Sequence, residues 1–303
     1  MITRKNFLIG AAATAATASA IECECIEGSW GRARGLMGGA FMGCMMAQQG
    51  ASLDISTYTQ LTLAVTSSNR TYGFIGGVLK SGSVGCTVYW DALGDATNKT
   101  VVDGDPDHVT HTYDADGEYV VAISDDLQQL VITGNDVAYR DYSSQMLKRL
   151  RLGDSVLTCP SPGGGATEFL YFRNDGILEY ADYNNATGTL RPCWGCSKCE
   201  TLIINHASTI ATYGLQSMGN GKVDSPAKIY CDSLTSLAVT ALNGTNPHCD
   251  FIWSSKSCAD IMQLTNVLRP TLYNASTQRF FGTDGYIQWD GTQFVIHQFN
   301  DPQ

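Results

Sequence analysis

The residues that most resemble catalytic machinery are Gly153, Asp154 and Ser155, which follow the leucine-rich stretch LKRLRL. A serine in a turn after a buried strand can act as a nucleophile when a histidine within hydrogen-bond reach takes its proton and an acid orients that histidine. The histidines downstream of Ser155 lack an aspartate three residues before them; they are His206, His248 and His297. The sequence therefore favours a structural role for this turn.

The Gly-Asp-Ser block is similar to the nucleophile block of the GDS(L)-type esterases. That resemblance implies an Asn block and a D-x-x-H pair after the serine, whereas here Asn135 and the pair Asp105 and His108 come before Ser155. Catalytic triads arise in more than one chain order, so a hydrolase using Ser155 stays open as the alternative. The prediction is that the protein is not an enzyme.

A second chemical candidate is the segment RPCWGCSKCE, in which Cys193, Cys196 and Cys199 have C-x-x-C-x-x-C spacing. Three thiolates on a tight turn can bind zinc or begin an iron–sulfur site. The alternative is that Cys196 and Cys199 are small buried residues, with Cys193 in a disulfide for which Cys159 and Cys231 are candidate partners. We predict neither metal nor cofactor and keep the three cysteines as candidate ligands.

A third candidate is the acidic loop that contains Asp103, Asp105 and Asp107. Alternating carboxylates can wrap Ca²⁺, but an EF-hand-like loop needs glycine at its sixth position, where this chain has His108. A solvated acidic hairpin is therefore preferred, and the three aspartates remain candidate calcium ligands.

Composition excludes some function classes. The chain has 303 residues, 44% of them hydrophobic, and carries 19 basic against 29 acidic residues for a net charge of −10. The hydrophobic content supports folded cores, and the negative charge argues against nucleic acid as a partner.

The N-terminus predicts export. Residues 1–20 place Arg4 and Lys5 before a small-residue apolar run that ends in Ala-Ser-Ala, which is typical of a cleavable signal peptide. The stretch TRKNFL resembles a twin-arginine (Tat) signal with lysine as its second basic residue. The expected location is the periplasm, the cell surface or the medium, with a spacer over 21–54 and no transmembrane span in the mature chain; a retained anchor is the alternative.

The segment 55–125 predicts a β-sandwich, because TYTQLTLAVTSS alternates apolar and polar residues and glycines follow at the turns. TVYWDALGDAT followed by HVTHTYDADGEYVVAI resembles the signature of PKD-type immunoglobulin-like domains. The second half matches at positions 111–113, 117, 119 and 121, while the first half has one extra residue between Trp90 and Gly94.

The segment 126–270 predicts a leucine-rich-repeat solenoid, since L-x-x-L-x-L patterns begin at residues 127, 147 and 234, with shorter matches at 170–172 and 202–204. The CDSLTSL segment beginning at Cys231 resembles a rung of the BspA-type repeats of bacterial surface proteins. That family's P-D-S turn aligns with Gly153–Ser155, so the resemblance implies that this block is the corner after a repeat strand.

Side-chain alternation identifies the residues of a repeat strand that face outward. It selects Arg151 and Tyr171 as binding residues, flanked by Arg149 and Arg173. An apolar column of Val131, Ile203 and Ala238 is expected beside them. Such a surface suits a protein or glycan partner, although insertions that cover it are an equally simple expectation.

The tail, 271–303, predicts consecutive hairpins with turns at Asp284 and Asp290, in which Trp289 and Phe294 close the open end of the solenoid. An aromatic glycan site in this tail is the alternative. The expected fold is mostly β: an immunoglobulin-like sandwich, an irregular solenoid and a hairpin cap. The expected function is non-catalytic adhesion or binding at the bacterial surface, with a hydrolase or a purely structural envelope or phage-derived component as alternatives.

Overall fold

The computed structural model of the chain describes residues 53–131, 146–157, 177–193, 195–216, 218, 225–242, 248–272 and 275–299. These residues belong to one unit, Leu53–Gln303, which is mostly β. The predictions for the signal peptide, for nearly all of the spacer, and for Asn135, Cys159, Tyr171 and Arg173 lie outside the described residues.

The first seven strands form an antiparallel section. They are β1 Thr59–Val65, β2 Thr71–Leu79, β3 Gly85–Asp91, β4 Asp95–Asp103, β5 Asp107–Thr112, β6 Gly117–Ile123 and β7 Leu127–Val131. Strands β1, β6, β3 and β4 belong to the large sheet, and β5, β2 and β7 form a second sheet. The alternation predicted for β1 is present, because Leu61, Leu63 and Val65 are buried and the residues between them are partly exposed.

Trp90 is at the centre of the antiparallel core. Its Nε1 donates to Thr100 Oγ1 at 2.9 Å, and the Tyr113 hydroxyl donates to the Trp90 carbonyl oxygen, also at 2.9 Å. The His111 ring stacks on Trp90 with centroids 5.0 Å apart, and the Tyr113 and Tyr119 ring centroids are 4.2 Å apart. Aromatic packing and satisfied polar atoms therefore join strand β3 to the segment that follows β5.

Strand β8, Leu147–Arg151, joins the antiparallel section to the rest of the sheet. One edge of β8 pairs antiparallel with β1, and the other edge pairs parallel with β9, Tyr180–Asp182. Within the described residues the large sheet therefore has 12 strands and is mixed, in the order β18-β17-β16-β15-β13-β11-β9-β8-β1-β6-β3-β4.

Beyond β8 the chain passes back and forth between the parallel part of the large sheet and a smaller parallel sheet. The large sheet receives β9, β11 Thr201–Ile203, β13 Ala227–Tyr230, β15 Cys249–Ile252 and β16 Arg279–Phe281. A smaller sheet receives β10 Gly188–Leu190, β12 Ala207–Ile210 and β14 Ser236–Leu237. Because the strands from β9 to β15 alternate between the two sheets in chain order, each of these coils stacks on the one before it.

Two buried columns form the core of these coils. The first contains Leu150, Ala181, Leu202, Ile229, Phe251 and Phe280, and the second contains Leu152, Tyr183, Ile204, Cys231 and Trp253. Backbone N–H groups of the second column donate to the next strand, as in Leu152 to Asp182 at 2.8 Å and Cys231 to Ile252 at 3.0 Å. Burial and hydrogen bonding therefore both act between neighbouring coils.

In the described residues after β15, the chain forms a short α-helix, a 3-10 helix at Ala275–Thr277 and two hairpins. Helix α1, Cys258–Met262, starts with a capping box between Ser257 and Asp260. Among the described residues no helix is long and apolar enough to cross a bilayer. Strand β16 pairs antiparallel with β17 Gly285–Trp289, which pairs antiparallel with β18 Phe294–Gln298, as the turns at Asp284 and Asp290 predicted.

Two of the predicted repeat strands are wrong. Leu127–Val131 pairs antiparallel with β2, so the antiparallel section extends to Val131 and Leu127 starts no coil. The segment at Leu234 contributes β14 to the smaller sheet instead of standing beside Leu202. The two segments share the leucine spacing of a repeat strand because leucine side chains from either sheet can fill the core.

Gly153 packs against the start of β1, where its N–H donates to Thr59 Oγ1 at 2.8 Å. A Cβ at this position would lie 2.9 Å from the Thr59 nitrogen and 3.0 Å from the Thr57 oxygen. We expect Gly153→Ala to lower the free energy of unfolding by about 1–3 kcal/mol, because backbone atoms must move apart. The urea midpoint of the variant measures this loss; an unchanged midpoint would contradict the close packing of β8 on β1.

Candidate binding face

The candidate site is the face of the large sheet that points away from the buried columns, here named the open face. Along the parallel strands, registered pairing aligns its side chains in two columns. The first contains Arg149, Tyr180, Thr201, Lys228, Asp250 and Arg279, and the second contains Arg151, Asp182, Ile203, Tyr230, Ile252 and Phe281. All of them except Asp250 are partly or fully exposed.

The prediction that Arg149 and Arg151 lie on an outward face agrees with these columns. The Arg149 guanidinium lies 5.3 Å from the centroid of the Tyr180 ring, a cation–π arrangement. Arg151 donates to Asp154 Oδ1 at 3.1 Å and to the Tyr58 carbonyl at 3.3 Å, and its Nε lies 4.0 Å from Asp182 Oδ2. Arg149 is therefore the more available of the two to a ligand.

The predicted apolar column was wrong in two of its three members. Ile203 stands in line with Arg151 through Asp182, as expected. Val131 belongs to β7 of the second antiparallel sheet, and Ala238 follows β14 of the smaller parallel sheet. The real column beyond Ile203 is Tyr230, Ile252 and Phe281.

Four side chains at the end of the open face, here named the aromatic row, were missed by sequence reasoning: Phe281, Tyr286, His297 and Phe299. The Phe281 and Tyr286 centroids are 5.4 Å apart, Tyr286 stacks on His297 at 4.7 Å, and Phe299 lies 6.5 Å from Phe281 with 56% of its surface exposed. Alternation in RFFGTDGYIQWDGTQFVIHQF could have found them, since the residues next to the core-facing Phe280, Ile287 and Ile296 point the other way.

Arg279 borders the aromatic row. Its Nε and Nη2 donate to the two carboxylate oxygens of Asp250, both at 2.8 Å, and its guanidinium lies 5.2 Å from the Phe281 ring centroid. The bidentate pair fixes the guanidinium beside the ring. The row therefore offers stacking surfaces next to oriented polar groups.

Trp289 and Phe294 lie on the other side of these hairpins. Both pack against the core, and their ring centroids are 5.0 Å apart. The Phe294 and Phe280 ring centroids are 6.1 Å apart. Their rings face the core, so the aromatic surface available to a ligand is formed by other residues.

Ser155 lies in the turn directly after β8. Its hydroxyl donates to Asp125 Oδ2 at 2.8 Å and accepts from Lys80 Nζ at 3.2 Å, while its N–H donates to Asp125 Oδ1 at 2.7 Å. No histidine is hydrogen-bonded to this hydroxyl in the described part of the chain. The geometry is that of a serine joining two loops.

The cysteine segment folds into the interior. Cys193, Cys196 and Cys199 are fully buried, and the Cys193 thiol donates to the Cys199 sulfur at 3.6 Å. Asp105 accepts from the Leu79 N–H at 2.8 Å, and Asp103 ends β4. Within the described ranges no group of three or more His, Cys, Asp or Glu side chains could hold a metal ion, so neither candidate metal site is assembled there.

No family model matches this chain, and no curated protein or solved structure matches it significantly.

The hydrogen bonds of Ser155 predict the effect of removing its hydroxyl. We expect Ser155→Ala to lower the free energy of unfolding by about 1 kcal/mol, since Asp125 and Lys80 each lose one partner but keep each other. Ester hydrolysis by the variant should equal that of the wild type. A loss of hydrolysis with an unchanged melting temperature would instead reveal a catalytic serine.

Burial raises the pKa of Asp182 above its usual value. The Asn184 N–H and the Arg151 guanidinium act in the opposite direction and lower this pKa. A raised folded-state pKa means that folding is favoured as pH falls through that pKa. Arg151→Ala removes one lowering influence, so we expect its loss of stability to be larger at pH 7 than at pH 4. Urea unfolding of wild type and variant across this range measures the difference.

Arg149→Ala is the matched control for this prediction. The Arg149 side chain packs on the neutral ring of Tyr180, so its loss of stability should be independent of pH between 4 and 7. Parallel pH profiles for Arg151→Ala and wild type would show that Arg151 does not act on the Asp182 carboxylate.

Proposed function

We propose that the protein is an exported, non-catalytic binding or adhesion protein that acts in the periplasm, at the bacterial surface or in the medium. The ligand is a protein or a glycan, and it binds on the open face. The aromatic row carries this proposal, since four ring side chains lie side by side on an outward surface next to a paired arginine. Aromatic side chains and arginine dominate the energetics of recognition surfaces.

The chemistry of the row fits both ligand classes. Flat exposed rings pack against the apolar faces of sugar rings, and they also serve as anchors in protein interfaces. Polar atoms that border the row, such as those of Arg279 and Asp250, can direct hydrogen bonds to hydroxyl or amide groups. The row lies at the end of the sheet away from Arg149, so a long ligand could contact both.

The resemblance to PKD-type domains supports a non-catalytic role. The residues of the signature that face inward, Trp90 and Tyr113, are joined by a hydrogen bond and buried. His111 stacks on Trp90, so the motif contributes packing rather than a reactive group. The similarity of the Ser155 corner to a BspA-type repeat turn supports the same view.

Export is supported by the N-terminal sequence, whose basic residues, apolar run and Ala-Ser-Ala end are typical of a signal peptide. The Tat-like form of this segment fits a protein that is exported after folding.

A binding screen with purified full-length protein tests the proposal. The probes are a glycan array and a panel of immobilised extracellular matrix and cell-wall components. We expect saturable binding that falls at least tenfold in Tyr286→Ala or Arg149→Ala, because each removes one exposed contact of the open face. The matched control is Val84→Ala, whose side chain is 90% exposed in the turn between β2 and β3.

Binding that all three variants retain equally would contradict a ligand site on the open face. The absence of saturable binding to every probe would favour a structural envelope component.

A further inference from the structure

Two of the buried thiols are adjacent in space although six positions separate them in the chain. Cys193 Sγ and Cys199 Sγ lie 3.6 Å apart, and both side chains are fully shielded from solvent. The binding role proposed above uses neither of them. Two sulfurs this close need only small side-chain rotations to reach bonding distance.

The pair lies where the chain returns from the smaller sheet to the large one. Cys193 follows β10 and its N–H donates to the Gly214 carbonyl at 2.8 Å, while Cys199 precedes β11 and its thiol donates to the Thr201 carbonyl at 3.5 Å. Between them the backbone turns tightly, with Gly195 at φ 77° and the Cys199 N–H bonded to the Cys196 carbonyl at 3.1 Å. A link between the two sulfurs would therefore close one corner of one coil.

We infer that Cys193 and Cys199 form an intramolecular disulfide when the chain folds in the presence of a disulfide oxidant. Each thiol loses one proton and one electron, an S–S bond forms between the two sulfurs, and one oxidant disulfide is reduced to two thiols. The product is a closed loop from residue 193 to residue 199 in the core of the parallel section.

Two other buried cysteines lie close enough to compete for these sulfurs. Cys196 is buried beside Cys193, and Cys249, at the start of β15, is buried near both partners. Cys193 is also hydrogen-bonded to the Cys196 side chain, and its 3.6 Å approach to the Cys199 sulfur makes Cys199 the proposed partner, in place of the Cys159 or Cys231 considered from the sequence. Cys196 and Cys249 are expected to remain thiols.

Burial sets the time at which the bond forms. It raises the pKa of the Cys193 thiol well above its ordinary range, and the hydrogen bond from Cys193 together with burial raises the pKa of Cys199. Since the thiolate is the attacking species, the folded pair reacts slowly. Oxidation is therefore fast when an oxidant is present during folding and slow in a chain that folds before it is exported, and the finished bond is protected from soluble reductants.

This inference goes beyond the proposed function and does not need the ligand. The full chain is unfolded and reduced, then refolded with either a glutathione–glutathione disulfide mixture or dithiothreitol. Free thiols are alkylated in denaturant, and tryptic peptides are analysed without reduction. Cleavage after Lys198 separates Cys199 from Cys193 and Cys196, so the bond appears as two linked peptides that have together lost two hydrogen atoms.

Variants assign the linked sulfur. The linked peptides should persist in Cys196→Ala and disappear in Cys199→Ala. In the wild type, which needs no substitution, protein refolded with the oxidant should melt roughly 5 °C or more above protein refolded with dithiothreitol, because the short loop restricts the unfolded chain.

Three results would overturn the inference. They are alkylation of both Cys193 and Cys199 after oxidative refolding, a bond between Cys193 and Cys196 inside one peptide, and a link from either residue to the peptide that contains Cys249.

Discussion

The structure depends on strand β8, which is hydrogen-bonded antiparallel to β1 and parallel to β9. A parallel strand needs a long connection to reach its neighbour, so a parallel sheet grows only if each coil finds a completed edge to stack on. The antiparallel section supplies that edge through β1. The corner Gly153–Ser155 then holds the junction, since Gly153 contacts Thr59 on one side and Ser155 bonds to Asp125 on the other.

Sequence patterns predicted the parts of the fold that depend on local alternation. The strand at Leu61, the hairpin turns at Asp284 and Asp290, and the outward direction of Arg149 and Arg151 all follow from side chains that alternate along one strand. In each case the information lies within a few neighbouring residues, and for this reason it could be read without knowing what packs nearby.

The sequence patterns could not predict which sheet each strand joins. LQQLV and LKRLR have the same leucine spacing, yet the first pairs with β2 and the second with β1 and β9. Conversely, β9 has the sequence YAD and places Ala181 where its neighbours place leucine. A small residue fits there because Tyr183, the next inward side chain, is large and buried. Volume is shared between positions, so a leucine pattern misses such strands.

The two faces of the large sheet differ in character: the inner face forms the core, and the open face is exposed. The inner columns and the cysteines are shielded, and that shielding suppresses thiol ionisation and makes the coils interlock. The open face keeps its polar atoms in pairs, as in Arg279 with Asp250 and Arg151 with Asp154 and Asp182, so most charges there are already compensated. A ligand on this face would gain little from bulk charge attraction and more from stacking on the rings near Tyr286. Selectivity would then follow from shape and hydrogen-bond geometry, which is the form of recognition that a rigid, hydrogen-bonded sheet can hold in place.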